Sequence, residues 1–258
     1  MARTREVAGG GRAVEVEPER LRGWFARFAD RHGGLAVVDE VAGRPADRLR
    51  FVAGDGVAAE VTVPFGGLPA PPPASRADPP PRAAAPTGPR DTGHSRRDVA
   101  GHHRDPACAV DALYTHLTVP RRVGIVLVRL GGYSVGVAVG DLVEASTTGA
   151  RPVHGRTRKG GSSSGRFARR RDNQAKAAAG EAADECVRLL VPAAKRLTAV
   201  VTGGDRPFVD AVLADARLAP LRPLVAERFL NVPNPKRAVL EDAIRTARSV
   251  RIKLVERD

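Results

Sequence analysis

The residues of this chain best suited to chemistry lie in one basic, glycine-rich segment, residues 151–171. It contains eight Lys or Arg residues, four glycines and no acidic residue. At its centre the pair Gly160-Gly161 precedes three consecutive serines. Because glycine lacks a Cβ, the backbone can approach an acceptor closely, and consecutive N–H groups can point at an anion. The segment is therefore predicted to be an exposed, mobile loop whose tip acts on an anionic or polar group. The residues at this tip are Gly160, Gly161, Ser162, Ser163 and Ser164.

The basic side chains around this tip are predicted to contact RNA phosphates, and the phenylalanine among them to stack on a base. The segment leads into Asp172, the predicted N-cap of a long helix, where unpaired N–H groups and the helix dipole add positive potential. Two interpretations stay open: a probe for an RNA-lined cavity, and a basic surface loop without chemistry. The candidate RNA-binding residues are Arg156, Arg158, Lys159, Arg166, Phe167, Arg169, Arg170 and Arg171.

Other common catalytic arrangements are not predicted. The serines have only His154 nearby and no anchored acid, so the pattern does not favour a serine triad. Cys108 and Cys186 form no motif, which argues against a disulfide framework or a cysteine-ligated zinc site. No metal and no small-molecule cofactor are therefore predicted.

The net charge has two possible origins. The chain has 42 Lys+Arg against 29 Asp+Glu, a net charge of +13, and an arginine-rich composition can reflect a GC-rich genome as well as a polyanionic partner. The distribution favours an RNA partner, because eight of these charges lie in 151–171 and leave only +5 for the rest. No stretch approaches eighteen consecutive apolar residues, and no signal-like run follows Met1, so a soluble, cytoplasmic protein without a membrane partner is expected.

Composition divides the chain into three regions: a small α+β domain over residues 1–68, a linker over 69–105, and a larger domain over 106–258. The linker holds nine of the 21 prolines and is predicted to be disordered, so its three histidines, His94, His102 and His103, are not expected to form a metal site. The first region is predicted to contain a helix from Pro18 to Gly33, strand 35–39, and the hairpin 48–53/57–63. Trp24 and the neighbouring aromatic residues are predicted to lie in its core.

The larger region is predicted to be a mixed sheet covered by helices, an α/β (α+β) arrangement that resembles the ribonuclease-H-like fold. Two-metal nuclease chemistry is disfavoured, because strand 123–128 carries no carboxylate, Asp141 lies in a turn and Glu144 has no evident partner. The predicted elements are helix 108–117, strands 123–130, 133–139 and 142–146, helix 172–190, strand 198–202, helix 205–215, strand 224–230, a helix from 234, and strand 250–255.

Three motifs make a family resemblance specific, and they are Lys159-Gly160-Gly161, Arg166-Phe167-Ala168-Arg169-Arg170-Arg171-Asp172-Asn173-Gln174-Ala175 and Arg228-Phe229-Leu230-Asn231-Val232-Pro233. Residues 107–256, which contain them, resemble the actinobacterial branch of the VLRF-type release factors, which are described as peptidyl-tRNA hydrolases. That family is related to the Vms/ANKZF ribosome-quality-control factors and to the catalytic middle domain of eukaryotic and archaeal release factors. The resemblance implies that Gly160, Gly161, Ser162, Ser163 and Ser164 are the catalytic residues.

The resemblance implies ribosome rescue without metal or nucleotide. The Gly-Gly loop would enter the peptidyl-transferase centre of the large ribosomal subunit and reach the terminal adenosine of a stalled peptidyl-tRNA. There it would help water or a ribose hydroxyl attack the ester, so that the nascent chain is released. The implied partners are large-subunit RNA and peptidyl-tRNA.

One departure from the family pattern bears on the activity. Family members carry a glutamine just after the glycine pair, taken to position the attacking group, and here the matching positions, 162–165, hold three serines and a glycine. Gln174, the only glutamine, lies beyond the basic run. Three hypotheses therefore stand: a peptidyl-tRNA hydrolase, a non-catalytic ribosome- or RNA-binding factor, and a nuclease acting near the tRNA 3′ end.

Overall fold

The computed structural model describes residues 3–7, 11–40, 48–68, 105–150, 177 and 179–256. Within them the chain forms two β-sheets, each with its own helices and apolar core. Residues 69–104 of the predicted linker, including its three histidines, lie outside the described residues. None of the described helices is long and apolar enough to cross a membrane.

The first sheet has six strands, and every neighbouring pair in it is antiparallel. Its spatial order is β1-β2-β11-β5-β4-β3, so the last strand of the chain lies between β2 and β5. The strands are β1 (Arg3–Val7), β2 (Gly11–Val16), β3 (Leu35–Glu40), β4 (Arg48–Ala53), β5 (Ala58–Thr62) and β11 (Val250–Val255).

Local sequence explains how this region begins and turns. Helix α1 (Leu21–Arg31) follows a 3₁₀ turn that starts at Pro18, where the missing N–H costs nothing. It ends before Gly33, which has a φ of +76° that favours glycine. The predicted hairpin is confirmed: β4 pairs with β5 across Asp55-Gly56, and the Val57 N–H donates to Asp55 Oδ1 at 3.1 Å.

Helix α2 (Pro106–Thr118) packs with the first sheet although its residues follow the predicted linker. Its N-cap is Asp105, whose carboxylate accepts from the Cys108 N–H at 3.0 Å. Leu113 is fully buried in the same core as Phe25 and Phe51. The limits of the three regions stay a prediction, but both α2 and β11, from within 106–258, complete the core of the first sheet.

The second sheet has five strands in the order β10-β9-β6-β7-β8. β9 runs parallel to β6 and β10, whereas β6, β7 and β8 form the predicted antiparallel meander. Its strands are β6 (Arg122–Arg129), β7 (Gly132–Val139), β8 (Leu142–Ala150), β9 (Ala199–Gly204) and β10 (Val225–Leu230). Its helices are α3 (described over 179–189), α4 (Arg206–Leu213) and α5 (Arg237–Arg248).

Both faces of the second sheet are covered. On the central strand β6, Val126 and Val128 face a core shared with α3 and α4, and Ile125 and Leu127 face a core shared with α5. Because both of its faces are buried, the sequence of β6 is a continuous apolar run. The predicted class, a mixed sheet with flanking helices after a small N-terminal α+β region, is confirmed.

The two sheets meet where the chain passes from α5 to β11. Ala247 packs in the second sheet's core, and Val250 packs in the first. Between them Ser249 is buried, and its carbonyl accepts from Arg228 Nη1 of β10 at 2.6 Å. Arg228 Nη2 donates to Glu15 Oε1 of β2 at 2.8 Å. One buried arginine therefore ties the edge strand of the second sheet to the first.

Candidate functional site

Four strand ends meet at one edge of the second sheet. The strands that end there are β6, β8, β9 and β10. β9 is parallel to β6 and β10. β8 runs in the same direction, because its end at Ala150 pairs with the start of β7 at Gly132. The carboxyl ends of parallel strands in α/β folds are the usual place for a ligand. We call this region the carboxyl-end surface; it comprises residues 129–133, 149–150, 204–206 and 229–236.

The basic segment leaves the sheet from this surface, since residue 151 follows the last residue of β8. All of the residues predicted from sequence to form the catalytic tip and the RNA contacts lie outside the described residues, and so does Gln174. They are Gly160, Gly161, Ser162, Ser163, Ser164, Arg156, Arg158, Lys159, Arg166, Phe167, Arg169, Arg170 and Arg171. The described part of the site is the surface that carries them.

Asp205 organises this surface. Its backbone N–H donates to the Val128 carbonyl at 2.8 Å, and its carboxylate accepts from the Leu130 N–H at 3.2 Å. The same carboxylate pairs with Arg129 Nη2 at 3.3 Å, while Arg129 Nη1 donates to the Val232 carbonyl at 3.1 Å. Arg129 therefore links the loops that follow β9 and β10, and its charge is partly compensated.

Gly204 allows that arrangement. Its φ is +107°, and a Cβ there would lie 2.1 Å from the Val128 carbonyl oxygen. No other residue type fits this close backbone approach without moving β6. The turn that presents Asp205 and the start of α4 thus depends on a glycine at the strand end.

Two cations on this surface have no carboxylate partner among the described residues. The Arg206 guanidinium lies over the Phe229 ring, 4.3 Å from its centroid, and its side chain is exposed. Lys236, in the loop after β10, is also exposed. Because a cation–π contact leaves the guanidinium charge uncompensated, Arg206 keeps its capacity to bind phosphate.

An aromatic residue, Tyr133, lies at the part of the carboxyl-end surface where β7 and β8 pair. The Tyr133 ring lies directly over Gly149, where a Cβ would meet it at 2.3 Å. Burial raises the pKa of Tyr133, and the Glu185 and Glu181 carboxylates of α3 raise it further. Tyr133 therefore stays neutral near neutral pH and packs where β8 ends, against the core that includes α3.

The carboxylates weighed for nuclease chemistry lie at the opposite end of the sheet. Asp141 is in the β7–β8 turn and is exposed. The sequence showed no evident partner for Glu144 in metal binding, and in the structure its carboxylate accepts from Arg122 of β6. Among the residues that the structure describes, no group of three or more His, Cys, Asp or Glu could hold a metal ion.

Sequence reasoning missed the described half of the site. The motif 228–233 was noted only as a family signature, yet Arg228 ties the two sheets, Phe229 supports Arg206, and the Val232 carbonyl holds Arg129. A signal was present in the chain, because Arg129 lies next to the end of the predicted strand 123–130 and Arg206 shortly follows the predicted strand 198–202. Both would be expected at one edge of a parallel pair.

These features define a mixed α/β domain whose carboxyl-end surface presents two exposed cations, Arg206 and Lys236. Residues 121–253 match the family model for the Actinobacteria/chloroflexi VLRF1 release factor. Since the match spans just over half of the 258 residues, the chain belongs to this family, and the resemblance seen in the sequence is confirmed.

Solved structures give more distant similarities. The crystal structure of the archaeal translation termination factor aRF1 is 20% identical over 49% of this chain and 34% of that chain, with a TM-score of 0.35. A structure described as an archaeal protein is 15% identical over 90% of this chain and 62% of that chain, with a TM-score of 0.34. This chain thus spans less than two thirds of either structure's length. No curated protein matches it.

Proposed function

We propose that this release-factor family member is a ribosome-rescue peptidyl-tRNA hydrolase that acts in the peptidyl-transferase centre of stalled large subunits. The loop around Gly160 and Gly161 would carry the chemistry, with Ser162, Ser163 and Ser164 at its tip. The observation that carries the proposal is the family match over residues 121–253, which spans this loop and both of the elements that hold it.

The proposed reaction requires only a few groups from the loop. Hydrolysis of an ester needs donors aimed at the developing oxyanion and an attacking water held in position. Backbone N–H groups of Gly161 to Ser164 supply donors, and a serine hydroxyl can orient water where other family members have glutamine. Oxyanion donors of this kind are each worth about 10²–10³-fold in rate.

The carboxyl-end surface would position the loop. Arg206 and Lys236, the two cations there without a described carboxylate partner, are suited to phosphates of the tRNA acceptor end. Arg129 is held by Asp205 and Val232, so its role would be to keep the two loops in place. The basic residues 166 and 169–171 would add contacts to large-subunit RNA.

A second candidate is a non-catalytic ribosome-binding factor. The serines in place of the family glutamine favour it, because they remove the residue taken to position the attacking group. The same basic loop and surface would then bind the ribosome without turnover.

One experiment separates the possibilities. Purified protein is incubated with large subunits that carry doubly labelled peptidyl-tRNA, and the products are resolved on gels. Free peptide with intact tRNA supports the hydrolase. Binding without turnover supports the non-catalytic factor, and a shortened tRNA supports a nuclease. Failure to associate with large subunits would defeat all three.

Loop variants sharpen the result. Gly160→Ala with Gly161→Ala is expected to reduce release at least 100-fold while binding changes little, because the added Cβ atoms keep the backbone N–H groups from approaching the developing oxyanion closely. Gly180→Ala is the matched control, because a Cβ at this described position of α3 meets nothing within 4 Å. Equal losses of release and binding would show that the loop is only an anchor.

A further inference from the structure

A cleft lies beside α1, on the first sheet and outside the family match. Its volume is about 220 Å³. Its apolar part is formed by Val14 of β2, Leu254 of β11 and Phe28 of α1. The rest is lined by Trp24, Arg27, Arg31 and His32. The cleft therefore combines an apolar surface, an aromatic ring and cations, and it needs the last strand of the chain to be complete.

Trp24 is fixed in this cleft. Its ring stacks on Phe28 with centroids 5.3 Å apart and planes at 9°, and meets Phe25 edge-on at 5.0 Å. The sequence predicted a core tryptophan, but the side chain is only half-buried, in contrast to its fully packed neighbours. An indole held rigidly with part of its surface in a cleft is suited to contact a planar group.

The cleft is positively charged. Arg27 and Arg31 are exposed, lie one helical turn apart, and form no ion pair with any carboxylate among the described residues. This distinguishes them from Arg22 on the same helix, which pairs with Asp111 at 2.9 Å.

Two acids lie nearby. Asp30 is exposed on α1, and Asp55 is held by His32 Nδ1 at 2.7 Å and by the Val57 N–H. His32 lowers the pKa of Asp55, so this carboxylate is already engaged as an acceptor. Neither acid lines the cleft.

We propose that this cleft binds one nucleotide of single-stranded RNA, with the base against Trp24 and the flanking phosphates on Arg27 and Arg31. An aromatic ring beside unpaired guanidinium groups is the combination that binds single strands without sequence preference. An acidic peptide would meet the charges but would offer no planar group for the indole. The site shares no residue with the basic loop or the carboxyl-end surface of the proposed function, and it would give the protein a second RNA contact.

The test uses a reporter built into the site. Trp24 is the only tryptophan in the chain, so emission excited at 295 nm reports this cleft alone. The full-length protein is titrated with an oligouridine hexamer, and binding of a dye-labelled hexamer is followed in parallel by anisotropy. Saturable quenching of Trp24 is expected.

Charge variants make the test specific. Arg27→Gln with Arg31→Gln should weaken the quenching isotherm about 10-fold and reduce the slope of log affinity against log salt by roughly 1.4, at about 0.7 per phosphate contact. The matched control is Arg48→Gln with Arg50→Gln, which removes two exposed arginines from the opposite face of the same sheet. That variant should leave the isotherm unchanged.

A third variant separates this inference from the proposed function. Arg169→Gln, Arg170→Gln and Arg171→Gln together should impair ribosome binding and leave Trp24 quenching in place. Hexamer binding by anisotropy without a change in Trp24 emission would overturn the proposal, as would quenching that the Arg27/Arg31 variant leaves unaltered. Quenching by a hexaglutamate peptide but not by RNA would also overturn it and would assign the cleft to an acidic protein.

Discussion

The two sheets differ in how much of the chain each one needs. All five strands of the second sheet come from residues 122–230, with both faces covered by helices from the same stretch or just beyond it. The first sheet takes five strands from residues 3–62 and then inserts β11, residues 250–255, between β2 and β5. The second sheet can therefore form from neighbouring segments, whereas the first is complete only when the chain end returns.

This difference changes how the family match is understood. The match ends at residue 253, inside β11, yet both partners of that strand lie before residue 63, outside the matched region. A β-strand with unpaired N–H and C=O groups on both edges is not stable by itself. The family region of this protein thus carries an element whose hydrogen-bond partners come from the N-terminal region.

The largest expected effect comes from removing β11. A variant truncated after Ser249 loses Val250 and Ile252, both with 0% exposure, and leaves β2 and β5 each without a partner strand on one side. The first sheet should lose protection in amide hydrogen exchange while β6, β7 and β9 keep theirs. Protected amides in β5 of the truncated protein would contradict the comparison.

A point variant in β11 tests the same strand with a smaller expected effect on stability. Ile252→Ala should lower the free energy of unfolding by about 2–5 kcal/mol, because it leaves a cavity in a packed core. Lys253→Ala, the next residue along, is the control and should change it by less than about 0.5 kcal/mol. Chemical denaturation followed by circular dichroism measures both.

Much of the second sheet could be predicted because its signals are local. Gly131-Gly132 and Gly140-Asp141 join strands too closely to allow anything but an antiparallel meander, and the meander is present. The position of β11 could not be predicted, because nothing in the residues 250–255 indicates pairing with β5 and β2, which lie about 190 and about 240 residues earlier in the chain. Strands β1 and β2 were also missed, although Val14 and Val16 alternate with polar neighbours as a half-buried strand requires.

The candidate site also has one part that could be predicted from the sequence and one part that could not. The basic loop was evident from composition, because eight cations without an acid need no fold to be recognised. Arg129, Asp205 and Val232 come together only through the parallel pairing of β6, β9 and β10, which periodicity does not specify. For Trp24 the sequence was misleading. Its helical spacing predicted a core position, but the side chain is only half-buried and lines a cleft that β2 and β11 complete.

An intermediate effect is expected at the contact between the sheets. Arg228→Met removes the charged hydrogen bonds to Glu15 and the Ser249 carbonyl, and should cost about 2–3 kcal/mol, since both groups are largely buried. Burial lowers the pKa of Arg228, but Glu15 beside it favours the charged form. Differential scanning calorimetry should show one transition in the unaltered protein separating into two in the variant.

The control is an exposed pair of the same chemistry. Arg237→Met breaks the contact to Glu241 on α5, where Nε lies 3.2 Å from the carboxylate. Such surface pairs are worth about 0.3–0.5 kcal/mol, so a single transition close to that of the unaltered protein is expected. A single transition in the Arg228 variant as well would mean that β11 alone makes the two sheets unfold together.

The smallest effect concerns two surface carboxylates, one near each sheet. Hydrogen bonds from Arg217 hold the pKa of Asp215, beside the second sheet, at about 2, against an ordinary 3.8. The His32 side chain lowers the pKa of Asp55, in the β4–β5 turn of the first sheet. Because each folded-state pKa is depressed, the stabilisation is fully present above about pH 4 and is lost as pH falls through the folded pKa.

These pKa values report on each sheet separately. In the protein truncated after Ser249, carbon-detected NMR titration should show Asp215 still titrating near 2, because α4 and the turn that follows it belong to the second sheet. Asp55 should return toward its ordinary pKa, because its contact with His32 requires α1 packed on an intact first sheet. If both carboxylates keep their lowered pKa values, the first sheet does not need β11 to hold its turn; if both lose them, the second sheet depends on the first.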